Sequence, residues 1–170
     1  NFIQEENIDC DFRHVGRYYG AHSLSQFNKL EKKIKEQPES LHIDVNLVSK
    51  SQQHAEIGSD FYHGGLVHPY HASLDPARFH QGLLERALTS GSQIKTHCAA
   101  SKIEKTGDVF QIQTESGMMK ASEVVVATGG YTGAVTPWHR RRVIPIGSYI
   151  IATETLEEGL VDQLIPRDRV

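Results

Sequence analysis

The sequence is poor in cysteine, in long apolar runs and in surplus charge of either sign. Its two cysteines, Cys10 and Cys98, lie far apart and form no Cys-x-x-Cys pair. That argues against a disulfide framework and for free thiols in a reducing compartment. No apolar run approaches the length of a membrane span, and the N-terminus lacks a basic-then-apolar signal pattern. A soluble, cytoplasmic protein is the resulting expectation. Lys and Arg number 18 against 21 Asp and Glu, so no global field draws the chain to nucleic acid or to an anionic membrane. The one dense basic run, His139-Arg140-Arg141-Arg142 after Trp138, reads as a solvated loop because nothing nearby repeats it. Internal repeats and low-complexity segments are absent. The first residue is Asn1 rather than Met, and the last residues, Arg167-Asp168-Arg169-Val170, carry no stop signal. The expectation is a segment of a longer protein. A length of 170 residues suits one domain or two small lobes and can bury a sizeable core.

What is present is organised around Glu123-Val124-Val125-Val126-Ala127-Thr128-Gly129-Gly130-Tyr131-Thr132-Gly133. Three β-branched apolar residues in succession predict a buried parallel strand. Its C-terminal end turns on Ala-Thr-Gly-Gly, where no bulky Cβ keeps another molecule from the backbone. Ligands of open α/β sheets bind at such carboxyl ends. The same residues also fit a core strand followed by an ordinary glycine turn.

Along the chain, residues 12–22 suit a strand. Ser23 and Ser25 are both candidate N-caps for a helix carrying Phe27, Leu30 and Ile34 inward and a lysine-rich face outward, ended by Pro38. Ile43, Val45 and Leu47 alternate as in a half-buried strand. Ser49-Lys50-Ser51-Gln52 matches a capping box, predicting a short helix to about Ile57. Aromatic and apolar residues around Gly64-Gly65 predict strands that bend where something comes close. Asp75-Pro76 starts a helix whose buried stripe is Phe79, Leu83, Leu84, Ala87 and Leu88, with Gly91 as its stop. Ile94 opens a short strand. Residues 103–105, 109–114 and 118–121 form an antiparallel meander turned at Gly107-Asp108 and Ser116-Gly117. The 124–127 strand follows, then a long strand over 143–153 and a last helix over 156–164.

The fold class is therefore α/β or α+β. A helix, a three-stranded meander and a parallel strand form part of a dinucleotide-binding domain, and residues 12–68 with 143–154 form a separate antiparallel sheet. The domain reading is 1–71 and 136–170 for a substrate domain and 72–135 for the second half of the FAD/NAD(P)-binding domain.

A set of residues carries a resemblance to a known family. It begins with Gly16-Arg17-Tyr18, Ala21-His22, Gly58-Ser59-Asp60, Gly64-Gly65-Leu66 and Pro69. It continues with Leu74-Asp75-Pro76-Ala77-Arg78-Phe79, Gly82-Leu83 and Gly91. It ends with Val125 through Gly133, Ile144-Pro145, and Ser148-Tyr149-Ile150-Ile151-Ala152-Thr153-Glu154. Their order and spacing resemble the FAD-dependent amine and amino-acid oxidoreductases of the D-amino-acid oxidase, glycine oxidase and sarcosine oxidase type. The γ-glutamylputrescine oxidoreductase-like branch is nearest. The resemblance covers about residues 8–156.

It implies a flavoenzyme in which FAD lies across two lobes, Ala100 meets the adenosine part, and the Ala127-Thr128-Gly129-Gly130 turn packs along the ribose and pyrophosphate. It also implies a substrate wall of antiparallel strands bearing Tyr62, His63 and Tyr149. A Tyr on a half-buried strand serves as readily as a packing residue with a bonded hydroxyl. The implied chemistry is oxidation of a C–N bond: hydride passes from the carbon bearing a neutral amine to the flavin, and water hydrolyses the resulting imine. The cofactor carries that chemistry, so no catalytic acid or base is named. The partners implied are a small amine or amino acid and the rest of the same polypeptide, with neither nucleic acid nor membrane. Two departures bear on this. The family's Gly-x-Gly-x-x-Gly fingerprint, which seats the pyrophosphate on a helix N-terminus, is absent, so tight FAD binding by this chain alone is not expected. Gly147 stands where glycine oxidase-type sequences often carry an Arg, which favours an amine over an α-amino acid.

Two other readings remain. His63, His68, His71 and His80 with Asp75 raise a metal site, but the spacing matches no usual zinc pattern and Pro69 breaks any helix that would align the rings. No metal is expected. A non-catalytic binding or scaffold module without flavin is the alternative function.

Overall fold

The computed structural model describes residues 2–38, 40 and 43–169. The chain divides into two compact units, the first running to Ser92 and resuming at Thr153, the second spanning residues 93–152. The helix after Asp75 groups with the segments before it.

In the first unit, α1 (Phe2–Glu5) precedes β1 (Arg17–Gly20), α2 (Leu24–Lys35), β2 (Asn46–Val48), a 3₁₀ helix (Lys50–Ala55), β3 (Gly65–His68) and α3 (Pro76–Thr89). The strands form one antiparallel sheet in the order β1-β3-β2, with Tyr19 opposite Leu66 and Leu47 also opposite Leu66. β3 is central, which is why Gly65, Leu66 and Val67 are all buried. Ile8, Cys10, Ala21 and Val48 complete the buried apolar set among the described residues. Of the two serines, Ser23 caps α2: its side chain accepts from the Gln26 N–H at 3.2 Å, while Gln26 Oε1 accepts from the His22 N–H at 2.8 Å. The inward residues Phe27, Leu30 and Ile34 are half-buried. The Ser49/Gln52 capping box forms, and the helix after it is a 3₁₀ helix.

Asp75 caps α3 by accepting from the Ala77 and Arg78 N–H groups at 2.9 and 3.0 Å. The helix ends in a Schellman turn: Gly91 lies at φ +88°, Gly91 N–H reaches Leu88 O, and Ser92 N–H reaches Ala87 O. Its apolar stripe is not buried as expected. No residue of α3 is buried, and Leu88 is 50% exposed. Ile8 packs over Gly82, and the stripe is covered only in part: Phe79, Leu84 and Ala87 are half-buried while Leu83 and Leu88 are exposed. β1 and β2 are shorter than their apolar alternation predicts because pairing with the four-residue β3 limits them.

The second unit holds β4 (Ala100–Thr106), β5 (Val109–Thr114) and β6 (Gly117–Ala121) in an antiparallel meander of that order. A 3₁₀ turn (Gly129–Tyr131) and α4 (Pro137–Arg140) follow. The last helix, α5 (Glu158–Leu164), returns to the first unit. Ile103, Ile112 and Met119 share one register line, as do Lys105, Phe110 and Ala121. One face is thus largely apolar and the other carries Lys102, Glu104, Gln111, Gln113 and Lys120. A register shift between Ala100 and Lys102 leaves Ser101 as the extra residue, with its hydroxyl donating to Gln113 O. That bulge returns Ala100 to the side of Ile103, although their parity would place them on opposite faces.

Three expected strands do not form. Residues 93–95, 124–127 and 143–153 belong to no strand, and Val125 is 89% exposed. Apolar β-branched residues favour the extended backbone, but a strand exists only where a neighbour takes up its N–H and C=O groups. Among the described residues none does so here, so the parallel strand expected in the fold class is corrected to an unpaired segment. The mixed helix–sheet class itself stands, with both sheets antiparallel.

Candidate cofactor and substrate sites

The apolar face of the meander becomes one wall of a hollow in the second unit. Ala100, Ile103 and Ile112 form the floor, and residues 124–128, Tyr131, Gly133, Val135 and Thr136 close the other side around about 400 Å³. Ala100, Ala127 and Thr128, expected at a cofactor, therefore meet around one space. Gly129 and Gly130 do not line it; they open the 3₁₀ turn beyond it. Their backbone is bare. Gly129 sits at φ +52° with nothing within 4 Å of where a Cβ would stand, and Gly130 would meet only the Pro145 Cβ at 3.9 Å. Hydroxyls tie the turn together. Thr132 Oγ1 donates to Gly129 O at 2.7 Å, so the 2.8 Å contact between Thr128 and Thr132 uses the Thr128 proton.

These residues suit the apolar, flat part of a dinucleotide better than its charged part. No Lys, Arg or long-helix N-terminus lines the hollow, so it supplies no counter-charge for a pyrophosphate. The arginines nearest in sequence are otherwise engaged or turned to solvent: the Arg142 guanidinium stacks 3.8 Å from the Trp138 ring centroid and donates to Trp138 O.

The residues expected at the substrate fall in different units. Tyr62 and His63 lie in a loop of the first unit just before β3. The Tyr62 ring packs over Gly20 and stands edge-on to Tyr18 and Phe61 at centroid distances of 6.2 and 5.3 Å. His63 donates its backbone N–H to Ala21 O at 2.9 Å. Tyr149, in the second unit, is 94% exposed and its hydroxyl lies over Gly147. Of the histidines weighed for a metal, His68 and His71 have ring centroids 5.2 Å apart, and among the described residues no three His, Cys, Asp or Glu side chains converge. No helix of the described residues is long and apolar enough to cross a membrane.

Two electrostatic features had no sequence signal. Tyr18 carries a phenol whose pKa is raised, first by desolvation and then by the Glu56 carboxylate and Tyr62; its oxygen is buried without a hydrogen-bond partner. Glu56 is itself buried and paired to Arg169, with Arg167 at 3.6 Å. Gln53, also fully buried, was equally silent in the polar run Lys50-Ser51-Gln52-Gln53-His54. Ile103 and Ile112 of the hollow were legible through strand alternation, whereas Val135 and Thr136 carried no pattern.

The FAD dependent oxidoreductase (DAO) family model matches residues 1–169. Among curated proteins, the probable oxidoreductase OrdL of Rhizobium meliloti is 28% identical over 160 residues, covering 91% of this chain and 36% of that protein. The gamma-glutamylputrescine oxidoreductase of Escherichia coli is 28% identical over 167 residues, covering 98% of this chain and 39% of that protein. The chain thus spans little more than a third of the length of these relatives. Among solved structures, glycine oxidase from Geobacillus kaustophilus superposes with a TM-score of 0.70 at 14% identity, over 79% of this chain and 37% of that one. L-proline dehydrogenase from P. horikoshii gives 0.64 at 13% identity, over 76% and 35%. These structural likenesses establish the fold, and the family model, spanning almost the whole chain, establishes the lineage: the chain belongs to the FAD-dependent oxidoreductase family.

Proposed function

We propose that this chain is the middle portion of an FAD-dependent oxidoreductase that oxidises the C–N bond of a small amine or amino acid. The observation that carries the reading is the hollow on the apolar face of the meander, with the open Gly129-Gly130 backbone in the turn beyond it. When bound, FAD supplies the hydride acceptor for that oxidation. In this reading Ala100, Ile103, Ile112, Val124, Ala127 and Thr128 hold an apolar portion of the cofactor. Gly129 and Gly130 let it approach the main chain. Residues 72–135 then contribute to the FAD-binding domain and 1–71 and 136–170 to the substrate domain. Tyr62 and His63, and separately Tyr149, are assigned to the substrate, where they orient the amine and exclude water. Gly147 offers no guanidinium to a carboxylate beside the reacting amine, which favours an amine whose reacting carbon bears no carboxylate, as in the diamine end of the γ-glutamylated diamine named for the Escherichia coli relative. A cytoplasmic setting accords with the two free cysteines.

The missing Gly-x-Gly-x-x-Gly supports a second reading, a scaffold module that holds no flavin. The deciding experiment is FAD addition, desalting and visible spectroscopy on this chain and on a version extended at both ends. Flavin retained only by the longer polypeptide is the expected result. Flavin retained by neither leaves the scaffold, and stoichiometric flavin on the short chain would show that the pyrophosphate is held by residues other than those named.

A further inference from the structure

The largest side chain completely withdrawn from solvent among the described residues is a polar one, Gln53. It projects from the Lys50–Ala55 3₁₀ helix, and both ends of its amide are used. Nε2 donates to Ser59 O at 2.8 Å, and Oε1 accepts from Gly64 N–H at 3.0 Å. The orientation is unambiguous, because a carbonyl can only accept and a main-chain N–H can only donate. Ser59 and Gly64 are the two ends of the loop that carries Tyr62 and His63. One buried amide therefore closes that loop at its base. The Gly64 end is also tied to Ala21, just after β1, with His63 N–H to Ala21 O and Ala21 N–H to Gly64 O, both at 2.9 Å. Gly64 is at φ +89°, and a Cβ there would press on the Phe27 ring. Gln53 thus holds both ends of the loop.

We infer that Gln53 is a positioning residue for the substrate wall, a role that rests on the assignment of Tyr62 and His63 to the substrate proposed above. No other side chain of this size brings a donor and an acceptor to the two loop ends at once. Asn lacks one methylene of reach, an ionised Glu cannot donate to Ser59 O, and Met fills the same volume with neither bond. Displacement of a substrate-orienting group by about 1 Å can cost on the order of a hundredfold in rate.

The test uses the FAD-loaded enzyme containing this chain, with γ-glutamylputrescine as probe. In Gln53→Met, KM for the probe rises at least tenfold while flavin content, read at 450 nm, stays at the parental level. Amide exchange in residues 59–64 speeds up, read on the flavin-free chain. A residue serving stability alone would lower the melting temperature with KM unmoved, and that result overturns the inference. If Gln53→Met does not fold, Gln53→Asn keeps the amide but lacks the reach to hold both Ser59 O and Gly64 N–H, and it carries the same expectation. Tyr62→Ala and His63→Ala separate the two levels of the argument. If either raises KM while Gln53→Met does not, Gln53 is excluded and the wall stands. If neither changes KM, the wall assignment falls and the role of Gln53 falls with it.

Discussion

Replacing Arg169 by Ala removes the main counter-charge of a buried carboxylate. Glu56 and Arg169 are only 10% and 15% exposed at their side chains and are joined through Arg169 Nε. Arg169 also donates from Nη1 to Val15 O at 3.0 Å, which draws the end of the chain onto the segment before β1. Removing one partner of a buried pair costs roughly 3–5 kcal/mol because the other charge is stranded. Here Arg167 remains 3.6 Å from Glu56, although it is 57% exposed and partly screened. The expected loss is therefore about 2–3 kcal/mol. With a urea dependence of roughly 2 kcal/mol per M, the unfolding midpoint falls by on the order of 1 M. Arg167→Ala is the control, since a pair with one partner in solvent is worth about 0–1 kcal/mol. A double-mutant cycle adding Glu56→Ala isolates the coupling. Equal midpoint shifts for Arg169→Ala and Arg167→Ala, or a coupling below about 0.5 kcal/mol, would refute the reasoning.

Three further outcomes follow from other parts of the molecule. Gly82→Ala improves helix propensity by about 1 kcal/mol, yet its Cβ would press on buried Ile8, whose Cγ1 would lie 3.2 Å away. Overpacking costs roughly 1–3 kcal/mol, so a lower melting temperature is expected and a higher one would contradict the packing described. The His68 pKa lies below its ordinary 6.5, through desolvation first and then the charges of His71 and Arg17. As pH falls, the unfolded chain takes up this proton before the folded chain does. Stability is therefore full above pH 6.5 and declines as the pH drops through 6.5 toward the folded pKa. His68→Gln flattens that decline in urea melts between pH 7 and 5, and parallel curves for parent and variant would dismiss the effect. Ala127→Leu fills the hollow on the meander, so flavin occupancy of the FAD-loaded enzyme drops at least tenfold by its 450 nm absorbance; unchanged occupancy would move the cofactor elsewhere.

The features legible in the sequence are those decided within a few residues. Ser23 and Asp75 cap their helices because a side-chain oxygen reaches an N–H two or three residues on. Gly91 ends α3 because it adopts the positive φ of a Schellman turn. The meander was legible from strand alternation and from turns at Gly107-Asp108 and around Ser116, and with it the floor of the hollow at Ile103 and Ile112. The resemblance assigned Ala100, Ala127 and Thr128 to different stretches of a cofactor, and that they line one hollow was not legible in it. Apolar pattern misled where it had to predict a partner. The valines at 124–126 and the run at 143–153 have the composition of strands, but composition cannot state whether a neighbouring strand is present.

By itself, then, the sequence determined the helix caps and stops, the meander, the family and the backbone openness of the Thr128-Gly129-Gly130 turn. All of these follow from propensities, capping and residue order, which act over short separations. Tertiary structure alone decided that a bulge at Ser101 turns Ala100 onto the side of the hollow. It also decided that Gln53 braces the Tyr62–His63 loop and that Glu56 is neutralised by an arginine 113 positions away. Such contacts satisfy buried polar groups, and which groups become buried depends on how distant segments of the chain meet.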